Sequence, residues 1–400
     1  MCSSDLRLKD ILADFFRQAD LVLLALCCVA TLYGMALIAS ASSYMGMAKV
    51  LRYVGVQGAA LLLGVCVYIA LSMVDFEILM KKWKWLVLFN IVFIGLLLTP
   101  FGVSDNTGNT AWLKFPGIPV SIGPAEVVKI SFVLLLAKQI EWLRLEKRDL
   151  KSFRAALFAA GHTFLLMGYY FVISGDMGNA LVFFFIFLAM AFAAGFALRW
   201  FALLLGGGGA AMAAVFLLNL VPSSMKYMLD RFVVVFDHSY DPLGKGWQQS
   251  RSLLAIGSGG VLGQGYLQGT QTHSSYKTNL PARHTDLIFA VCGEELGLVG
   301  CVLVIALLAA IIIRVLLVAK RAETPFQSYV CVGMAAMLMF QTIINIGMCL
   351  FVVPVIGITL PFFSYGGSSI VTLFAAMGVV SSIKKRSPTM RRTARLLRTR

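Results

Sequence analysis

The stretch LVLLALCCVATLYGMALIASAS (21–42) decides the fold class. It carries no charge, and about 20 apolar residues suffice for a helix to cross the hydrocarbon core of a bilayer. Comparable runs recur at 54–74, 85–103, 124–143, 155–174, 178–198, 200–221, 287–313, 327–352 and 369–383. The chain has 400 residues, of which 59% are hydrophobic and only 13% charged. Soluble domains are roughly a quarter charged, so lipid must be the solvent for much of this surface. The sequence predicts an all-α integral membrane protein of about ten transmembrane helices. A charged, amphipathic segment (1–20) precedes the membrane domain (21–383), and a basic tail (384–400) follows it. No small-residue cleavage site follows the first apolar run, so no cleavable signal peptide is expected.

Ten spans put both termini on one side, and the cations choose the side. With the N-terminus inside, 23 of the 34 Lys and Arg residues fall in inner segments and nine in outer ones, the other two lying within a span. Cytoplasmic loops collect Lys and Arg, so both termini are expected in the cytoplasm. Residues 222–286, between the seventh and eighth spans, then form a large extracytoplasmic loop. Its apolar, glycine-containing stretches, such as RSLLAIGSGGVLG (251–263), read as interfacial or re-entrant pieces. Non-helical backbone at membrane depth is tolerated only where it is buried or lines a cavity.

The same asymmetry accounts for the formal net charge of +15, which in a soluble chain would suggest nucleic acid; no nucleic-acid partner is expected. None of the eight cysteines has CxxC spacing, and seven lie inside apolar runs, as small buried apolar residues do. No metal-ligand spacing, P-loop or dinucleotide fingerprint occurs.

Ionisable residues at the edge of a span are costly and are functional candidates by default. Asp286 stands in LPARHTDLIFAV at the outer start of the eighth span, with Arg283 three residues earlier. It could be a carboxylate favoured by the helix dipole or a general base at the wall between lipid and water. Glu126 and Lys129 share a helix face in GPAEVVKIS, as a neutralising pair or as ligands. Asp176 sits in the outer turn SGDMGNA (174–180). Glu294 and Glu295 in GEELG read as structural polar residues between glycines that allow close approach. PVIGITLPFFSYGGSS (354–369) reads as a broken, re-entrant segment in which Ser368 or Ser369 caps the last helix, and whose free N–H groups suit an anion.

Together these segments resemble the SEDS family (shape, elongation, division and sporulation), which includes RodA, FtsW and SpoVE. The resemblance covers nearly the whole chain. It is strongest over 241–300, which includes NLPARHTDLIFAVCGEELGLVG, and over PVIGITLPFFSYGGSS. The GTQ at 269–271 leans toward the RodA-like branch. The resemblance implies a peptidoglycan glycosyltransferase. Such an enzyme polymerises lipid II at the outer face of the bacterial plasma membrane and works with a class B penicillin-binding protein, a transpeptidase. It implies Asp286 as the catalytic acid of the family's HTDFIF motif. Glu126 and Lys129 match its PSE-x-x-K motif, Asp176 its PDLG motif, and Arg231 the Arg at the start of its large outer loop. The chain departs from these motifs at GPAE (123–126) and GDMG (175–178), and lacks the Arg that commonly precedes Trp112.

The implied chemistry is attack by the acceptor's 4-hydroxyl on the anomeric carbon of the donor, with inversion, as undecaprenyl pyrophosphate leaves. Asp286 takes the proton; Lys129, Arg231 or Arg283 offsets the pyrophosphate charge. A divalent cation such as Mg or Mn could share that role, although the sequence shows no dedicated site for one. Two other functions fit the composition: a lipid II flippase, which would show internal repeats, and a non-catalytic scaffold for a cell-wall synthase.

Overall fold

The computed structural model describes residues 19–104, 109–117, 121–146, 150–218, 223–237, 241, 244, 246–274 and 280–385. The predicted N-terminal amphipathic segment, apart from its last two residues, and the basic tail beyond 385 lie outside the described residues, as do parts of the 222–286 loop.

Each predicted span coincides with a helix: α1 (Leu21–Ser42), α2 (Met47–Ser72), α3 (Trp83–Gly95), α4 (Pro124–Glu146), α5 (Phe153–Ser174), α6 (Met177–Ala194) and α7 (Leu198–Leu217), then, after the loop, α10 (Ile288–Lys320), α11 (Pro325–Cys349) and α12 (Gly367–Lys385). Seven of these are long and apolar enough to cross a membrane: α1, α2, α5, α6, α10, α11 and α12. The loop itself supplies α8 (Ser223–Phe236) and α9 (Trp247–Gly259). A two-stranded antiparallel hairpin, β1 (Gly102–Ser104) with β2 (Thr110–Leu113), follows α3 and shortens the third predicted span.

Local chemistry sets the helix boundaries. The side chains of Asp20, Ser152, Asp176 and Thr324 each accept a backbone N–H of the helix they begin, filling a donor that has no intrahelical partner. Gly175 ends α5 in the left-handed region at φ +70°, which glycine enters without a Cβ penalty. The chain therefore reverses into α6 within the turn that the sequence places at 174–180.

α11 and α12 form the centre of the bundle, with most of their length buried, whereas α2 and α5 are largely lipid-facing. α12 packs along α2; α11 packs against α10, α6 and α4. At one end Asp20 is fully buried and ties four helices together. It pairs with Arg314 of α10 at 2.9 Å and with Lys384 of α12 at 3.1 Å, while its backbone carbonyl accepts from Tyr68 of α2.

α10 is not one continuous helix. Gly297 has φ +63° and ψ −159°, which breaks it two turns after its start. The loop after α9 completes the break: Gln264 and Gly265 donate to the carbonyls of Glu294 and Glu295, and Leu298 and Val299 donate to those of Gly260 and Val261. The two chains touch backbone to backbone. A Cβ on Gly259 would sit 2.0 Å from the Gly293 carbonyl oxygen, and one on Gly263 would sit 2.1 Å from that of Glu295. The GSGG and GEELG motifs are thus one packing unit, which satisfies the irregular backbone from within the protein, as a lipid surrounding would require.

Candidate active site at the Asp286 turn

The Asp286 turn is built around one carbonyl. Ala282, at φ +43°, directs its oxygen so that the backbone N–H groups of Thr285 and Leu287 and the Thr285 hydroxyl all donate to it. A non-glycine residue at positive φ is uncommon, and such strain clusters at functional sites. Asp286 itself is half-buried, two residues before α10 begins at Ile288. Its backbone carbonyl accepts from Asn345 Nδ2 of α11 at 2.8 Å, and the same amide nitrogen donates to the carbonyl of Ile358 at 2.8 Å.

Residues 351–366 are indeed non-helical, and half of them are buried. They clamp the turn from the other side: the Ser364 hydroxyl donates to the Thr285 carbonyl at 2.7 Å, and the Tyr365 N–H to that of His284 at 2.9 Å. Gln57 of α2 holds the segment by donating to the Ser364 carbonyl and accepting from the Gly366 N–H. Gly34 of α1 admits the Phe363 backbone, which a Cβ there would meet at 2.6 Å. Asp286 therefore stands on a turn fixed from α2, α11 and the re-entrant segment. That is the preorganisation a catalytic carboxylate needs.

A second polar group gathers at the starts of α4 and α6. Lys129 is fully buried and donates to Glu126 Oε1 at 2.8 Å and to Asn179 Oδ1 at 3.1 Å. Asn179 Nδ2 donates to Asp176 Oδ2 at 2.8 Å, and the Tyr170 hydroxyl donates to the same oxygen at 3.0 Å. Glu126, Lys129 and Asp176 thus belong to one continuous network with two carboxylates and one ammonium. The re-entrant segment links this network to the Asp286 turn. Its Ile356 carbonyl lies so close to Gly178 that a Cβ there would sit 2.3 Å away. Arg231 of α8 reaches the same segment, donating to the Val355 carbonyl at 2.7 Å.

Arg283, by contrast, goes elsewhere. Arg283 stacks on Tyr44, 3.5 Å from the ring centroid, and donates to the carbonyls of Thr272 and Ser274. Its guanidinium holds the loop. Ser368 lies in the first turn of α12, and its hydroxyl has no hydrogen-bond partner among the described residues. Glu294 accepts from Thr270, Gln271 and Thr272, and Glu295 from Ser40 and His273, so both are structural anchors for the GTQ turn. No group of three or more His, Cys, Asp or Glu side chains arranged to hold a metal occurs among the described residues.

The family model described as "Cell cycle protein", for FtsW, RodA and SpoVE, matches residues 20–389. The chain belongs to this family. Among its relatives in the FtsW/RodA/SpoVE family is the "Probable peptidoglycan glycosyltransferase FtsW" of Trichlorobacter lovleyi, 32% identical over 387 residues, or 94% of this chain and 96% of that one. The "Peptidoglycan glycosyltransferase MrdB" of Escherichia coli is 45% identical over 157 residues, which is 39% of this chain and 42% of MrdB. Two solved structures share the fold. One, from work on the structural coordination of polymerization and crosslinking by a peptidoglycan synthase complex, has TM-score 0.73 at 28% identity and covers 92% of this chain and 98% of that one. The crystal structure of the rod shape determining protein RodA of Thermus thermophilus has TM-score 0.65 at 26% identity, with the same coverage.

Sequence reasoning missed Asn179, Tyr170, Asn345, Ser364 and Gln57, which carry the hydrogen bonds between the candidate residues. Asn345 left a signal, as an amide in the middle of the apolar run TIINIG (342–347).

Proposed function

We propose that this protein is a multi-pass peptidoglycan glycosyltransferase of the bacterial plasma membrane, which polymerises lipid II in company with a class B penicillin-binding protein. The family match from residue 20 to 389 carries this reading. Relatives named peptidoglycan glycosyltransferase and the fold shared with a component of a peptidoglycan synthase complex support it. The positive-inside pattern supports cytoplasmic termini and an extracytoplasmic 222–286 loop, which puts the Asp286 turn at the outer face.

In this reading Asp286 is the general base. It accepts the proton of the acceptor's 4-hydroxyl as that oxygen bonds to the anomeric carbon, and the bond to undecaprenyl pyrophosphate breaks with inversion. A half-buried carboxylate on a clamped turn costs little reorganisation as charge moves. Glu126, Lys129 and Asp176 contribute a fixed polar wall on which sugar or pyrophosphate groups can be held, with Arg231 at its edge. Arg283 acts through the loop it pins. Ser368 offers an unspent hydroxyl.

Purified protein, with and without its penicillin-binding partner, should convert lipid II to glycan chains resolved by gel electrophoresis. Translocation of fluorescent lipid II across vesicles without chain formation would instead identify a flippase.

A further inference from the structure

Away from the Asp286 turn, a cavity of about 450 Å³ opens between α3, α4 and α5, lined by Trp83, Val87, Leu135, Lys138, Trp142 and His162, with Gln139 beside them. It lies toward the opposite ends of these helices. Lys138 is eight residues before the end of α4, ~12 Å at the helical rise.

The cavity's lining is mostly apolar, and Lys138, Gln139 and His162 are its polar side chains. The Gln139 amide is oriented by its surroundings, because its nitrogen donates to the Phe158 carbonyl at 2.9 Å. Its oxygen must therefore accept from His162 Nδ1, 2.9 Å away. With the proton on Nδ1, the neutral ring leaves Nε2 as a bare acceptor, and Nε2 has no protein partner among the described residues. Lys138 pairs with Glu141 at 3.0 Å but is 44% exposed, so its ammonium also reaches the opening. Glu141 is the one carboxylate at this pair, and the stretch that supplies Trp83 to the lining is basic: KKWKW (81–85) leads into α3 with Lys81, Lys82 and Lys84 all exposed. The turn that carries Lys81 and Lys82 packs on α4. Trp83 and Trp142 flank the opening, 47% and 39% exposed. Amphipathic indoles mark the headgroup level of a membrane, and basic pockets between transmembrane helices on the cytoplasmic side suit anionic lipid headgroups.

We propose that this cavity is a binding site for one anionic, hydroxyl-bearing phospholipid of the inner leaflet. The phosphate sits at Lys138 and the lysine-rich mouth, a headgroup hydroxyl donates to His162 Nε2, and an acyl chain runs along Val87 and Leu135. The assignment rests on charge complementarity and on the unfilled acceptor, and is independent of the glycosyltransferase reading.

The test is native mass spectrometry of the detergent-solubilised full chain titrated with phosphatidylglycerol, phosphatidylcholine or undecaprenyl phosphate. The wild type should retain one phosphatidylglycerol in preference to phosphatidylcholine. Lys138→Gln should lose about tenfold in affinity, as removal of a charge-assisted hydrogen bond implies, and Lys138→Arg should keep it. His162→Phe should weaken phosphatidylglycerol several-fold and leave phosphatidylcholine unchanged. Matched gel-filtration profiles and melting temperatures establish that the variants are folded. Equal retention by Lys138→Gln, or equal retention of phosphatidylcholine by the wild type, overturns the proposal. Preferential retention of undecaprenyl phosphate also overturns it, because the cavity would then serve a prenyl carrier.

Discussion

Replacing Lys129 with Met tests whether the network at α4 and α6 is a structural ion pair or a substrate-binding wall. The ammonium is fully buried and makes two hydrogen bonds, to Glu126 at 2.8 Å and to Asn179 at 3.1 Å. Hydrogen bonds to charged groups contribute about 1.5–3 kcal/mol each, and stranding a buried charge costs about 3–5 kcal/mol. The Glu126 side chain is 11% exposed and recovers part of its hydration, which places Lys129→Met at the low end, about 3 kcal/mol. Glu126→Gln leaves the ammonium with Asn179 and a neutral amide and should cost about 2 kcal/mol. The double variant strands neither charge and should cost about 3 kcal/mol, well short of the sum, with a coupling of about 2 kcal/mol. Denaturant titration in mixed micelles reads the stabilities, and lipid II polymerisation by the same samples reads the function. If the pair also binds substrate, the double variant is stable but inactive. Additive losses near 5 kcal/mol would refute the coupled-pair account. Full activity in the stable double variant would refute the binding role.

Three further outcomes follow from the geometry. Gly263→Ala should lower the melting temperature sharply, equivalent to about 3 kcal/mol or more, because its Cβ would overlap the Glu295 carbonyl and its φ is +83°. An exposed glycine with open space, such as Gly55, should tolerate Ala. Asp20→Asn should cost about 2 kcal/mol: it removes two ion pairs, but Arg314 and Lys384 are 24% and 20% exposed and stay partly hydrated. The third concerns His284, packed between Tyr53 and Tyr365. Burial, then the neighbouring Arg283 charge, holds its imidazole below the ordinary 6.5. The unfolded chain therefore takes up this proton first. Stability is full above about pH 6.5 and declines as pH falls below it. His284→Phe should flatten that decline in melting temperature measured across the acid range.

The spans were legible because lipid imposes a length and a composition on each helix separately. The Gly175 turn was legible because a glycine followed by a capping Asp has a local meaning. The break at Gly297 was not: GEELG lies within an apolar run and reads as a continuing helix, and only the 260–265 loop, thirty residues earlier, makes the break affordable. The strands at 102–104 and 110–113 pair only 6 to 11 residues apart, but they are short and continue an apolar run, so they read as the end of the third span. Asp286, Glu126 and Asp176 stood out because charge is rare at membrane depth. Arg283 stood out for the same reason, yet the fold turns it to Tyr44 and the loop carbonyls. Asn345, Ser364 and Gln57 were opaque because a polar side chain's partner, not its identity, gives it its role.

Asp286 as the base of a lipid II polymerase can be tested at one atom. The direct measurement is chain formation from lipid II by the purified protein with its penicillin-binding partner, wild type against Asp286→Asn at equal, folded abundance. Asn is nearly isosteric and leaves the backbone bond from Asn345 in place, so the turn persists while the proton acceptor is lost. The account predicts a loss of at least about a hundredfold, the lower range for general-base catalysis, with partner binding retained. Chain formation by Asp286→Asn at the wild-type rate would contradict it.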